Sequence, residues 1–107
     1  MSVEIQFWDR EVEKFVAGLE KATIAKVLRT FDLLEKFGHK LEMPHSKKIE
    51  SGLFELRIRG DQEVRFLYVF NNKKVVIVLH GFIKKSQRIP AKHLQTARNR
   101  KKRIDGI

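Results

Sequence analysis

The chain opens on a short alternation: Val3, Ile5 and Phe7 are apolar, Glu4 and Gln6 polar, which predicts a strand over residues 3–8. Asp9 suits a helix N-cap, and Val12, Phe15, Val16 and Leu19 follow at helical spacing. A second helix is predicted from Lys21 to Phe37. Its Ile24, Val27, Leu28, Phe31, Leu34 and Phe37 form one apolar stripe, and Gly38 stops it. Residues 39–52 read as a polar connection containing Pro44 and Gly52. The period then changes to two. Phe54, Leu56 and Ile58 alternate with Glu55, Arg57 and Arg59, and Gly60-Asp61 turns the chain. In the next strand, 63–70, Val64, Phe66, Tyr68 and Phe70 share one face, with Arg65, Leu67 and Val69 on the other. Residues 71–74 turn again, and 75–83 is an almost continuous apolar strand interrupted by His80 and Gly81. Pro90 fits the first turn of a last helix reaching Arg103. The expected order is β-α-α-β-β-β-α in one α+β domain over residues 1–107: a helical hairpin packed on a twisted, mainly antiparallel sheet whose other face stays partly open.

Register follows from the turns. With Arg59 opposite Glu63, Arg57 faces Arg65; with Phe70 opposite Val75, His80 also falls opposite Arg65. The core face then takes Phe54, Leu56, Ile58, Phe66, Tyr68, Val75, Ile77 and Leu79. The open face takes Arg57, Arg65 and His80, with Arg59 and Lys84 toward its edges and Phe82 the one aromatic outside. A slip of one residue would bury arginines. Like charges directly opposite each other are destabilising. Either a phosphate held between Arg57 and Arg65 relieves this pair, or Glu55 or Glu63 does so as an ion pair.

Charge sharpens the picture. The 107 residues carry a net charge of +10. Residues 1–44 hold 7 Lys/Arg against 8 Asp/Glu, and residues 45–107 hold 16 against 5, so the excess sits wholly in the second part. Such segregation makes a directional field suited to a polyanion, nucleic acid or the ribosome. Lys84, Lys85 and Arg88 lead from the third meander strand into the last helix, at one mouth of the open face. Lys47-Lys48 either lines the opposite rim or is a solvated loop. In the last helix Leu94, Ala97 and Ile104 give a thin apolar stripe beside Arg98, Arg100, Lys101, Lys102 and Arg103; it either grips ribosomal RNA or is a solvated terminus. There is no cysteine, no stretch approaching a membrane span, and no acid or histidine cluster at ligand-like spacing, so no metal or other cofactor is expected. Acids by the ninth residue speak against a secretory signal.

Three blocks then stand out: Gly52-Leu53-Phe54-Glu55-Leu56-Arg57, Val64-Arg65-Phe66-Leu67-Tyr68, and the run from Val78 through His80-Gly81-Phe82-Ile83-Lys84-Lys85-Ser86 to Pro90. In this order they resemble the HigB-type, phage-related branch of the RelE/ParE toxin superfamily, over essentially the whole chain. The resemblance implies a cytoplasmic toxin that enters the ribosomal A site and cleaves messenger RNA there. It also implies a helix-turn-helix (HigA-like) antitoxin as partner. The family's conserved positions fall on Arg57, Arg65, His80, Lys84 and Lys85. Tyr68 matches a family position too, but its register makes it structural. The basic C-terminal stretch is longer and more charged than the family pattern.

Metal-independent cleavage needs an activated 2′-hydroxyl, a stabilised phosphorane and a protonated 5′-oxygen. Arg57 and Arg65 suit the phosphate. His80 is the expected proton carrier because it titrates near neutrality, unless it is simply a packed sheet histidine. Lys84 or Lys85 replaces it if neighbouring cations depress its pKa. Lys47, Lys48, Arg59, Lys85, Arg88, Arg98, Arg100 and Lys101 are the expected RNA and ribosome contacts. Two other classes remain: a ParE-like inhibitor that binds DNA gyrase and cleaves nothing, and a non-catalytic RNA-binding module. The second lacks the exposed aromatics such modules use for base stacking.

Overall fold

The computed structural model describes residues 2–105, in the order β1 (Glu4–Phe7), α1 (Arg10–Ala17), α2 (Lys21–Phe37), a single 3-10 turn, β2 (Ser46–Glu50), β3 (Leu53–Ile58), β4 (Val64–Asn72), β5 (Val75–Ile83) and α3 (Ala91–Asp105). The five strands form one sheet in the order β1-β5-β4-β3-β2. β1 runs parallel to β5, and every other pairing is antiparallel. The helical hairpin on a mainly antiparallel sheet is as expected. The strand β2 is additional, in a segment expected to be a connection.

Local chemistry sets the helix ends. The Asp9 carboxylate accepts from the Val12 amide at 3.2 Å, and Glu11 and Glu13 lie in the first turn of α1, where the helix dipole favours acids. α2 stops at Gly38, whose φ of +52° suits a residue without a Cβ. Val12, Leu19, Val27, Phe31 and Leu34 pack with Leu56, Ile58, Val64, Phe66, Tyr68, Val76 and Val78 into the main core between hairpin and sheet. Leu28 and Phe37, expected in the apolar stripe of α2, are exposed. Tyr68 lies in this core, its hydroxyl 2.5 Å from the Ser46 hydroxyl on β2, and burial pushes its pKa up.

The pairing of β3 with β4 is the one expected, with Arg57 opposite Arg65. The pairing of β4 with β5 is not. Val75 lies opposite Asn72 and Val76 opposite Phe70, and a second irregularity at Leu67/Tyr68 leaves Leu79 as an extra residue in β5. Each bulge shifts which side chains face the hairpin. Val76 and Val78 therefore enter the main core, whereas Ile77 and Leu79, expected there, belong to the other face. His80 falls opposite Leu67 and Phe82 opposite Arg65.

That other face is less open than expected. Leu53, Leu67, Val69, Leu79 and Phe82 form a second core closed by Ala97 of α3, with Leu94 and Ile104 against it. Phe82 is thus buried, not outside. Polar anchors hold α3 in place. The Arg100 guanidinium donates to the Leu79 carbonyl, Arg98 grips the Glu50 carboxylate through Nε and Nη2 at 2.8–3.2 Å, and Arg100 and Arg103 both lie over the Trp8 ring.

Candidate active site

What α3 leaves uncovered is a cavity of about 830 Å³ at the β2-β3-β4 end of the sheet. Its walls hold Lys47, Lys48, Arg57, Arg59, Arg65, Lys84, Lys85 and Arg88 against two carboxylates, Glu55 and Glu63. The cationic residues come from three places. β2 is an edge strand rich in lysine, which blunts its edge and supplies Lys47 and Lys48. β3 and β4 present Arg57 and Arg65 by alternation, and the segment leaving β5 supplies Lys84, Lys85 and Arg88.

At the floor, the opposed arginines are held by acids from within the fold. Arg65 is 1% exposed and Arg57 13%, and the Glu55 carboxylate, 4% exposed, lies between them with 3.7 Å to each Nε. Arg65 also donates from Nη2 to Glu63 at 2.9 Å and from Nη1 to its neighbour's carbonyl, that of Val64, at 3.0 Å. The cost of facing arginines is thus offset by carboxylates, and no phosphate is required to relieve it. The clamp is incomplete, however. Among the described residues, Glu55 Oε2, Arg57 Nε and Arg65 Nε are buried without a hydrogen-bond partner, and Arg57 Nη1 donates to the Met43 sulfur at 3.3 Å. Both Nε groups face the Glu55 carboxylate out of contact with solvent, so an incoming anionic oxygen would meet Arg57, the more exposed of the two arginines, from the cavity side.

Lys84 belongs to the same group. Burial, followed by the Arg65 and Arg57 charges, lowers its pKa, with Glu55 and Glu63 acting the other way. Its ammonium is consequently a better proton donor than a free lysine.

His80 is not part of this site. The bulge at Leu79 moves it along the strand, where Nε2 lies 2.8 Å from His93 Nδ1 of α3, and the His93 ring stacks on Phe82 at 4.3 Å. Burial above all, then the charges of His93 and Arg100, lowers the His80 pKa to about 4. Neutral under ordinary conditions and outside the cavity lining, it ties α3 to the sheet. Arg98, Arg100 and Lys101 are likewise elsewhere, bound to Glu50, to the Leu79 carbonyl and to Asp105. Glu55 was legible in the sequence only as a salt-bridge partner, and its place between both arginines comes from the strand pairing. His93 carried no signal. Among the described residues no group of three or more His, Asp or Glu is placed to hold a metal, and no helix is long and apolar enough to cross a membrane.

A small α+β domain with a cationic cleft at one end of its sheet has the RelE-like fold. The E. coli toxin RelE, as a free double mutant with two arginines changed to alanine, superposes with a TM-score of 0.68 at 15% identity, covering 94% of this chain and 98% of that one. The family described as Phage derived protein Gp49-like (DUF891) matches residues 14–102. The chain belongs to that family. No curated protein matches the sequence.

Proposed function

We propose that this protein is a toxin, a metal-independent endoribonuclease that cleaves messenger RNA in the ribosomal A site and is restrained by a helix-turn-helix antitoxin. The observation that carries the reading is the cationic cavity lined together by Arg57, Arg65 and Lys84. Arg57 holds the scissile phosphate, and the buried Arg65 beneath it adds its charge to stabilise the negative charge that grows on the phosphate oxygens. The 2′-oxygen attacks phosphorus as its proton passes to solvent, the bond to the 5′-oxygen breaks, and the Lys84 ammonium protonates the departing oxygen. The products are a 2′,3′-cyclic phosphate and a 5′-hydroxyl. A lysine acid without a dedicated base is a weak proton-transfer apparatus, so the rate depends on how the ribosome positions the RNA. Lys47, Lys48, Arg59, Lys85 and Arg88 make the backbone contacts.

One observation favours a second reading. Arg65 is so deeply buried and so well paired that it serves the fold even with no substrate. A ParE-like gyrase inhibitor would need nothing more of it. Induced expression with mapping of messenger 5′ ends separates the two. The nuclease reading expects new ends within translated codons, abolished in Lys84→Ala and Arg57→Ala and retained in His80→Asn. Growth arrest without new RNA ends would overturn it in favour of the gyrase reading.

A further inference from the structure

The charged side of β3 runs on past the end of its neighbour. β2 pairs with β3 only as far as Leu56, so Arg57 and Ile58, with Arg59 after them, stand at a bare edge of the sheet. Two contacts close around this edge. The Arg57 amide donates to the His45 carbonyl at 2.8 Å, and the Lys26 ammonium of α2 donates to the Arg59 carbonyl at 3.4 Å. Between them lies a second cavity of about 280 Å³, whose walls include Lys26, Arg29, His45, Arg57 and Arg59. Arg57 and Arg59 also line the first cavity, so the two meet at the edge of β3. The helix takes part because Lys26, Arg29 and Leu33 share one of its faces.

The charge of this second cavity has one sign. Glu55 and Glu63 stand among the cations of the first, whereas no carboxylate lines the second. Among the described residues Lys26, Arg29 and Arg59 form no ion pair, and Arg57 has only its 3.7 Å contact with Glu55. Leu33 and Ile58 add apolar surface, which lowers the local dielectric and strengthens the pull on an anion. Cations gathered without a counterion repel one another, a cost that a ligand of opposite charge removes. A small free anion would be satisfied by either cavity alone. Two cationic cavities that share their arginines suit a chain of phosphates passing from one to the other.

We propose that the second cavity holds a neighbouring phosphate of the RNA strand whose scissile phosphate lies at Arg57. The strand then passes round the bare edge of β3 onto α2, where Lys26 and Arg29 grip its backbone. The inference rests on the RNA reading and deepens it, giving the cleaved strand a track beyond the site of cleavage. Backbone contacts carry no base information, so this track serves every messenger sequence alike.

The test is the salt dependence of binding by the full chain to two 2′-O-methyl RNAs that cannot be cut, a dinucleotide with a single phosphate and a hexamer. Lys26→Ala/Arg29→Ala removes two exposed cations of the cavity; Lys36→Ala/Lys40→Ala removes the same charge from exposed positions outside both cavities. For a single strand each neutralised phosphate adds about 0.7 to the slope of log affinity against log salt. Lys26→Ala/Arg29→Ala is expected to lower the hexamer slope by that amount. Its low-salt affinity should fall roughly fivefold, what one exposed ion pair supplies, with dinucleotide binding unchanged. An equal loss in Lys36→Ala/Lys40→Ala would reduce the effect to the general field and overturn the track. Hexamer binding that Arg57→Ala diminishes and Lys26→Ala/Arg29→Ala does not overturns the track and leaves phosphate binding at Arg57 intact. Two independent dinucleotide sites, the second insensitive to Arg57→Ala, would give the cavity to a separate strand and overturn the continuous one. Absence of any binding that Arg57→Ala diminishes overturns the RNA reading and this inference together.

Discussion

Glu55→Gln tests the charge cluster at the cavity floor without changing its shape. The carboxylate is 3.7 Å from the Nε of both Arg57 and Arg65, and all three groups are largely out of water. At that separation and an effective dielectric of about 20, each pair is worth on the order of 4 kcal/mol of Coulomb attraction, before the cost of desolvation. Removing the shared anion leaves two opposed cations, one of them fully buried, with only Glu63 on Arg65. Breaking a buried ion pair from one side costs about 3–5 kcal/mol. For a domain of this size the loss corresponds to a fall of roughly 12–25 °C in Tm. Glu63→Gln is the control. Its carboxylate is 39% exposed and makes one bond to Arg65, so about 1 kcal/mol or less is expected. Urea denaturation of both variants beside the unmodified chain, at neutral pH and low salt, gives the comparison. Added phosphate, bound from the cavity side of Arg57, should recover part of the Glu55→Gln loss by supplying a negative charge near the arginines. A Glu55→Gln loss below about 1 kcal/mol, or no larger than that of Glu63→Gln, would refute the view that this carboxylate holds the arginines together.

Two other outcomes follow from the same geometry. The lowered His80 pKa means that the folded protein binds its proton less readily than the unfolded chain does. Its contribution to stability is thus fully present above about pH 6.5 and is lost as the pH falls toward about 4. Denaturant unfolding should show a decline of roughly 2 kcal/mol over that window, discounted for partial exposure, and His80→Leu should flatten it; an unchanged slope would discount the histidine pair. Gly81→Ala would place a Cβ 2.7 Å from both the Phe15 and Phe66 rings, so a loss of about 1–3 kcal/mol is expected in thermal unfolding, and a neutral result would mean that these rings move freely.

Much of the architecture was legible because it rests on periodicity. The stripe from Ile24 to Leu34 made α2, and the alternation of Phe54, Leu56 and Ile58 with Glu55 and Arg57 fixed which side of β3 is charged. The turn at Gly60-Asp61 was enough to set β3 against β4 and so to place Arg57 across from Arg65, although burying Arg65 was not foreseen. β2 escaped because an edge strand needs little apolar content. Ser46-Lys47-Lys48-Ile49-Glu50 has one apolar side chain, and its partner β3 supplies the pairing.

The sequence by itself determined the strand and helix periods, the segregation of charge and the family blocks, because each is carried by neighbours within a few positions. Only the tertiary structure decided where His80 goes. A bulge arises from the fit of one strand to another, and the extra residue at Leu79 moved the histidine out of the cavity and under α3. The docking of α3 is likewise a product of the fold. A helix with a thin apolar stripe is held by Arg98 on Glu50, Arg100 on the Leu79 carbonyl and His93 on His80, contacts between residues far apart in the chain. Those contacts cover part of the charged face and leave the rest as the cavity, with its cations and its shared carboxylate brought together by packing alone.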